Sequence, residues 1–336
     1  MEKHLQKETK PNIGGQAVIE GVFLRAPWGY SLAVRRPDGN IETLKEKYEP
    51  LTKRYKILGL PIIRGCISLF EQLVLGIKML NKSAEIALKE EDEPPKWLKK
   101  VCDFISYKFD ISKEKVDSIF YKSFEVIMTI LAFVIAIAVF MVLPHFFGQI
   151  TVGNEKSHPI LFNVIAGVVR VILFVGYIKL ISYSKDIKRV FEYHGAEHKV
   201  VFAYENEGEV NVANAKKYQT AHPRCGTNFI FIVILVSIFI FSFATQFIIW
   251  LCPNFVDFPL ILRKIIIIFA HLFLLPLVAG VSYEVMKFSA KHENTWWSKI
   301  INAPGMFFQN LTTAEPDEEQ LEVAIASLKT LLSIKE

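Results

Sequence analysis

Apolar positions along this chain fall into a few long blocks. Four of them, residues 126–147, 160–183, 228–251 and 265–286, are long enough to cross a bilayer, which takes about 20 residues in a helix. Lipid offers an open backbone no partner, so each block is predicted to be helical. A fifth apolar stretch, residues 61–80, carries Arg64, Glu71 and Lys78 at seven-residue steps, with Ser68 and Gln72 beside them. That spacing makes one narrow polar stripe on a helix. Both flanks are rich in Lys and Arg, which predicts a helix lying in the membrane interface or re-entering it.

Outside these blocks the period changes. Residues 16–24 and 30–35 read as short strands, Pro37-Asp38-Gly39-Asn40 as a turn, and residues 41–45 alternate again. Together they predict a small β element. Residues 200–212 read as a further hairpin, turning at residues 206–208. Residues 316–332 predict an amphipathic docking helix with Leu321, Ile325, Leu328 and Leu332 as its apolar stripe. Pro316 suits its first turn, and Asp317, Glu318 and Glu319 suit its positive end.

The fold class expected is an α-helical integral membrane protein. It has about four transmembrane helices, an interfacial or re-entrant amphipathic helix and a small cytoplasmic β element. The domains expected are a β element (1–56), the amphipathic helix (57–82) and a basic cytoplasmic stretch (83–125). A four-span domain (126–286) follows, with a cytoplasmic His/Cys loop (184–227), and then a cytoplasmic tail (287–336).

Composition agrees with this class. Of 336 residues, 51% are hydrophobic and 27 are Phe, too many in unbroken runs for an ordinary soluble chain. Net charge is +5, but its placement is informative. Lys96, Lys99, Lys100, Lys108, Lys113, Lys115 and Lys122 precede the first span. Lys185, Lys188, Arg189, Lys199, Lys216, Lys217 and Arg224 lie between the second and third, and Lys287, Lys291 and Lys299 follow the fourth. The loop between the first two spans has only Lys156. Arg263 and Lys264 at the start of the fourth run against the trend. By the positive-inside rule both termini and the central loop are cytoplasmic. Met1 to Lys10 is polar, with no signal-peptide core behind it, so the first span is expected to direct insertion. Cys66, Cys102, Cys225 and Cys252 show no paired spacing and predict no disulfide framework.

The chemistry concentrates in the central loop. His194-Gly195-Ala196-Glu197-His198 has the H-x-x-E-H order of one class of zinc hydrolases. On a helix the two imidazoles share a face one turn apart. In that chemistry they hold zinc, and the glutamate handles the proton of a water. A pair of hydrogen-bonded structural histidines is the bland alternative. His222 and Cys225 sit three apart just before the third span, and Glu284 ends the fourth on the same side. His194, His198, His222, Cys225 and Glu284 are therefore the candidate metal ligands, Glu197 the candidate catalytic base, and zinc the expected cofactor. Glu205 falls on the face of His198 if the helix persists. Glu20, in apolar company, can reach the cluster from the same side. Arg170 and His271 lie inside spans, where ionisable groups face a bundle interior or an aqueous path. The glycines at 14, 15 and 21 match no phosphate or dinucleotide fingerprint, and no nucleic-acid motif is present.

Five segments, taken together, resemble the YqhQ family: GGQAVIEGVFLR at 14–25, HGAEHKVVFAYE at 194–205, HPRCGT at 222–227, SYE at 282–284 and PGMFFQNLTTAEP at 304–316. The resemblance implies a bacterial polytopic membrane protein built around a domain of unknown function and labelled a predicted metal-dependent enzyme.

Three functions compete. One is a membrane-embedded metallohydrolase with its site at the cytoplasmic face and Glu197 as general base. A second is a non-enzymatic accessory or scaffold factor that docks another membrane protein or ribosomal or translocation machinery, any metal being structural. A third, a transporter using Arg170 and His271, lacks the internal repeat and paired broken spans such proteins carry.

Overall fold

A computed structural model describes residues 13–87, 96–109, 112–153, 157–222, 225–292 and 295–335. Of the residues read above, Met1 to Lys10, Lys156, Pro223 and Arg224 lie outside these. In chain order the elements are β1 (Gly14–Val18), β2 (Gly21–Ala26), β3 (Gly29–Arg35), β4 (Ile41–Lys47), α1 (Leu51–Arg54), α2 (Ile63–Ala87), α3 (Lys96–Phe109), α4 (Lys113–Ile137), α5 (Leu143–Val152), α6 (Pro159–Ile181), α7 (Lys185–Glu207), α8 (Val212–Ala215), α9 (Gly226–Leu251), α10 (Leu260–Lys291), α11 (Trp296–Thr312) and α12 (Glu318–Leu332). Among the described residues, four helical runs are long and apolar enough to cross a membrane: Lys113–Val152, Ile160–Ile181, Gly226–Leu251 and Ile261–Lys291. They contain the four blocks expected, apart from the last two residues of the second. The chain forms two compact units, one from residues 1–87 and 175–336, the other from 88–174, with the boundary inside α6.

In the first unit, the four strands form one antiparallel sheet in the order β1-β2-β3-β4. Residues 16–24 are not one strand: the chain reverses at Ile19-Glu20, and Val18 pairs with Gly21. Glu20 takes a positive φ of 51° to make that reversal. Strand alternation sends Val22, Leu24 and Ala33 to one face, where they pack with Tyr193, Ala196 and Val200 of α7 and Leu321, Ala324 and Leu328 of α12. Phe23, Tyr30, Leu32 and Val34 go to the other face, against Leu75 and Met79 of α2. β2 and β3 are thus covered on both sides. The hairpin expected at 200–212 does not form: α7 runs through to Glu207. Val200, Val201 and Ala203 are buried at helical spacing against the core just described, and Gly208 (φ 88°) ends the helix. The tail helix starts after Pro316, at Asp317, whose side chain caps Gln320 N in a reciprocal capping box.

The polar stripe on α2 turns inward at Arg64 and Glu71, while Gln72 and Lys78 stay exposed. Arg64 pairs with Glu284 of α10. Glu71, only 5% exposed, accepts from the Tyr48 hydroxyl and from Leu51 N at 2.8 Å, and Lys78 lies 3.8 Å from Glu46. The apolar side, with Phe70, Leu73, Val74 and Ile77, is exposed. Gly65 and Gly280 let α2 and α10 approach closely: a Cβ on Gly65 would lie 3.0 Å from Gly280 Cα.

In the second unit, Leu98 and Cys102 of α3 pack against Val116 of α4. A π turn at Ala138–Val142 joins α4 to α5. His145 meets Phe162 edge-on, and Arg170 Nε donates to the Phe140 carbonyl at 3.2 Å.

Candidate metal centre

One turn of α7 carries the centre. His194 and His198 are four residues apart, and their ring centroids lie 4.5 Å apart. Cys225, the residue before α9, brings its Sγ to 3.3 Å from His194 Nε2. One ligand atom each from His194, His198 and Cys225 lie within 4.8 Å of one another.

Backbone carbonyls orient both imidazoles. His194 Nδ1 lies 2.9 Å from the Thr312 carbonyl, and His198 Nδ1 contacts the Thr220 carbonyl. A carbonyl only accepts, so each Nδ1 donates its proton and, in the neutral ring, each Nε2 keeps its lone pair. This is how metal-binding histidines are ordinarily oriented. The Nε2 of His198 is buried without a hydrogen-bond partner. A buried acceptor in that state is costly unless something else satisfies it, which fits a metal ligand.

Two glycines make the geometry. A Cβ on Gly195 would collide with the Ala314 carbonyl, and Ala314 N donates to the Phe191 carbonyl at 2.9 Å. The segment after α11 therefore lies directly across α7 and places the Thr312 carbonyl at His194. On β1, a Cβ at Gly15 would collide with the Phe23 carbonyl and stand 3.1 Å from Glu197 Oε1, so the strand passes close over that carboxyl. Glu197 is buried, and its Oε2 is 3.4 Å from His198 Nε2. Burial pushes its carboxyl above the usual carboxylate range, against the pull of His194 and His222.

The remaining candidates take other places. The His222 ring is 5.7 Å from that of His198, and its Nε2 is 3.4 Å from Glu205 Oε2. His222 N donates to Gln309 Oε1 at 2.7 Å, and Gln309 Nε2 donates to the His222 carbonyl at 2.9 Å. Helix α7 persists, as the Glu205 reading required, but that carboxylate sits on His222. Glu284 accepts from Arg64 Nε at 2.7 Å and from Ile62 N at 3.3 Å, and it is not part of the three-residue group. Glu20 pairs with Arg189 and accepts from the Tyr193 hydroxyl, which places it on the first turns of α7 and not at the histidines. His271 stacks on Phe241, with centroids 4.0 Å apart.

Side-chain reading misses Thr220, Gln309 and Thr312. Two of these act through backbone carbonyls, which carry no residue signature. The available signal is segment 304–316, which carries part of the family resemblance far in sequence from the histidines.

Fold and site together define a mostly helical protein with four candidate membrane spans, a small antiparallel sheet and a His/Cys cluster. The chain matches the family described as "Protein of unknown function (DUF1385)" over residues 60–334. It is 33% identical over 339 residues to the "Uncharacterized protein YqhQ" of Bacillus subtilis (strain 168), covering 100% of this chain and 96% of that one. It belongs to the YqhQ family. No solved structure matches it.

Proposed function

We propose that this protein is a multi-pass membrane protein that binds zinc at its cytoplasmic face and uses it for hydrolysis. The single observation that carries the metal reading is the pair of Nδ1–carbonyl contacts at His194 and His198, which turns the His194 Nε2 lone pair onto the Cys225 thiol and leaves the His198 Nε2 without a hydrogen-bond partner. Two imidazoles and a thiolate suit zinc, and three protein ligands are the number found in catalytic sites that keep a position open. A zinc ion there supplies a Lewis acid that makes water a better nucleophile. Glu197 is the general base: its desolvated carboxyl stands beside the ligand group and accepts a proton at Oε2.

The membrane reading rests on the four apolar helices and on Lys and Arg flanking them on the side of α7. The exposed apolar face of α2 supports an interfacial setting for that helix. The test is the zinc content of detergent-purified protein, wild type beside a His194→Ala/His198→Ala variant. Stoichiometric zinc lost in the variant is expected. A wild type without metal, purified without chelator, would sink the hydrolase reading and favour an accessory protein.

A further inference from the structure

Helix α11 has its polarity reversed. Its outward face carries Trp296, Ile300, Ala303 and Phe307, at the spacing of one helical side, with Lys299 and Asn310 beside them. Trp296 is 74% exposed, Ile300 62% and Phe307 60%. Its inward face carries the polar Ser298, Gln309 and Thr312, buried together with Gly305 and Phe308. Water would favour the opposite arrangement.

The inward groups are all occupied by the protein. Ser298 Oγ donates to the Ser289 carbonyl at the end of α10, at 3.0 Å. Gln309 Nε2 donates to Asn228 Oδ1 at the start of α9, at 3.2 Å, and Phe308 packs against Phe231. Gly305 lies against Asn228 so closely that a Cβ would clash. So α11 is bound to the start of one candidate span and the end of another, which places it at one end of the helix pair. Its 17 residues are about 25 Å long at 1.5 Å per residue, short of the roughly 30 Å hydrocarbon core. The helix does not span. Helix α9, to which it is bound, carries its own exposed apolar residues Phe239, Phe243 and Phe247.

We infer that α11 is an in-plane membrane helix whose Trp296, Ile300 and Phe307 face seats in the lipid at the cytoplasmic surface. The occupant is the bilayer. Tryptophan at the helix start and Lys299 at its margin suit the headgroup level. The opposite face carries the Thr312 carbonyl that orients His194 and the Gln309 amide that holds His222. The metal centre is therefore braced directly against the membrane surface. This inference rests on the membrane reading proposed above.

The experiment places p-benzoylphenylalanine singly at Ile300, Phe307, Phe243 and Glu319 in the full-length chain. The protein is reconstituted in phosphatidylethanolamine–phosphatidylglycerol vesicles, irradiated and analysed by mass spectrometry. Lipid adducts at 300 and 307, comparable to those at 243 and missing at 319, are expected. Adducts at 243 but not at 300 and 307 would overturn the inference and leave the membrane reading standing. No lipid adduct at 243 would overturn both. Crosslinks from 300 or 307 to a second copy of the chain would assign this face to self-association instead.

Discussion

The Nε2 of His194 faces the Sγ of Cys225 across 3.3 Å, joining a helix outside the candidate spans to the residue that caps the start of one of them. This contact spans 31 residues of sequence. On the zinc reading it makes Cys225 the thiol ligand; within the same unit, Cys66 and Cys252 are not part of the His194–His198–Cys225 group.

Replacing Cys225 by Ser should therefore weaken zinc binding by about 10–100-fold or more, since a ligand is at least as important as the groups that orient ligands. Cobalt-substituted protein offers a direct check. Wild type should show a sulfur-to-cobalt charge-transfer band in the near ultraviolet, and Cys225→Ser should lack it. A band that survives would assign the thiolate elsewhere.

Glu284→Gln should keep its zinc, because Glu284 is held by Arg64. The same substitution should loosen α2 from α10. Both side chains are about a quarter exposed, so a double-mutant cycle with Arg64→Gln is expected to give a coupling of about 1 kcal/mol. Loss of zinc in Glu284→Gln would restore that carboxylate to the ligand set.

Gly195→Ala should be the most damaging small change in the motif. The new methyl meets the Ala314 carbonyl, and overpacking of this kind costs about 1–3 kcal/mol. Thermal unfolding should show the loss, together with a lower zinc content as the Thr312 carbonyl leaves His194. An unchanged Tm would mean that the segment after α11 is not held against α7 as described.

An open metal position predicts that hydroxamates bind. A hydroxamate should raise the Tm of zinc-loaded wild type and leave His194→Ala/His198→Ala unmoved. In Glu197→Gln the zinc should remain, while any hydrolysis it supports falls by about 10²–10⁴-fold. Zinc-loaded protein that binds no hydroxamate would point to a closed, structural site.

The parts legible in the sequence are those written in side-chain periodicity. The four apolar blocks, the one-turn spacing of His194 and His198, and the stripe from Leu321 to Leu332 all follow from residue type and period. Three features lay outside that reach. Glu284 looks like a ligand by its position at the end of a span, but its partner Arg64 is 220 residues away. The 200–212 hairpin reading took Val200 and Val201 for strand residues, whereas burial against the sheet and α12 makes them one side of a helix. The reversed polarity of α11 is invisible until it is known which of its faces the protein covers.

The Thr312 carbonyl that fixes His194 comes 118 residues after it and beyond the last candidate span. During synthesis both ligand-bearing segments and all four apolar helices emerge before this acceptor exists. The hydrogen bond that orients His194 is therefore a late event of folding: a chain cut short before residue 312 would hold every candidate span together with His194, His198 and Cys225, yet lack the carbonyl that fixes the His194 ring.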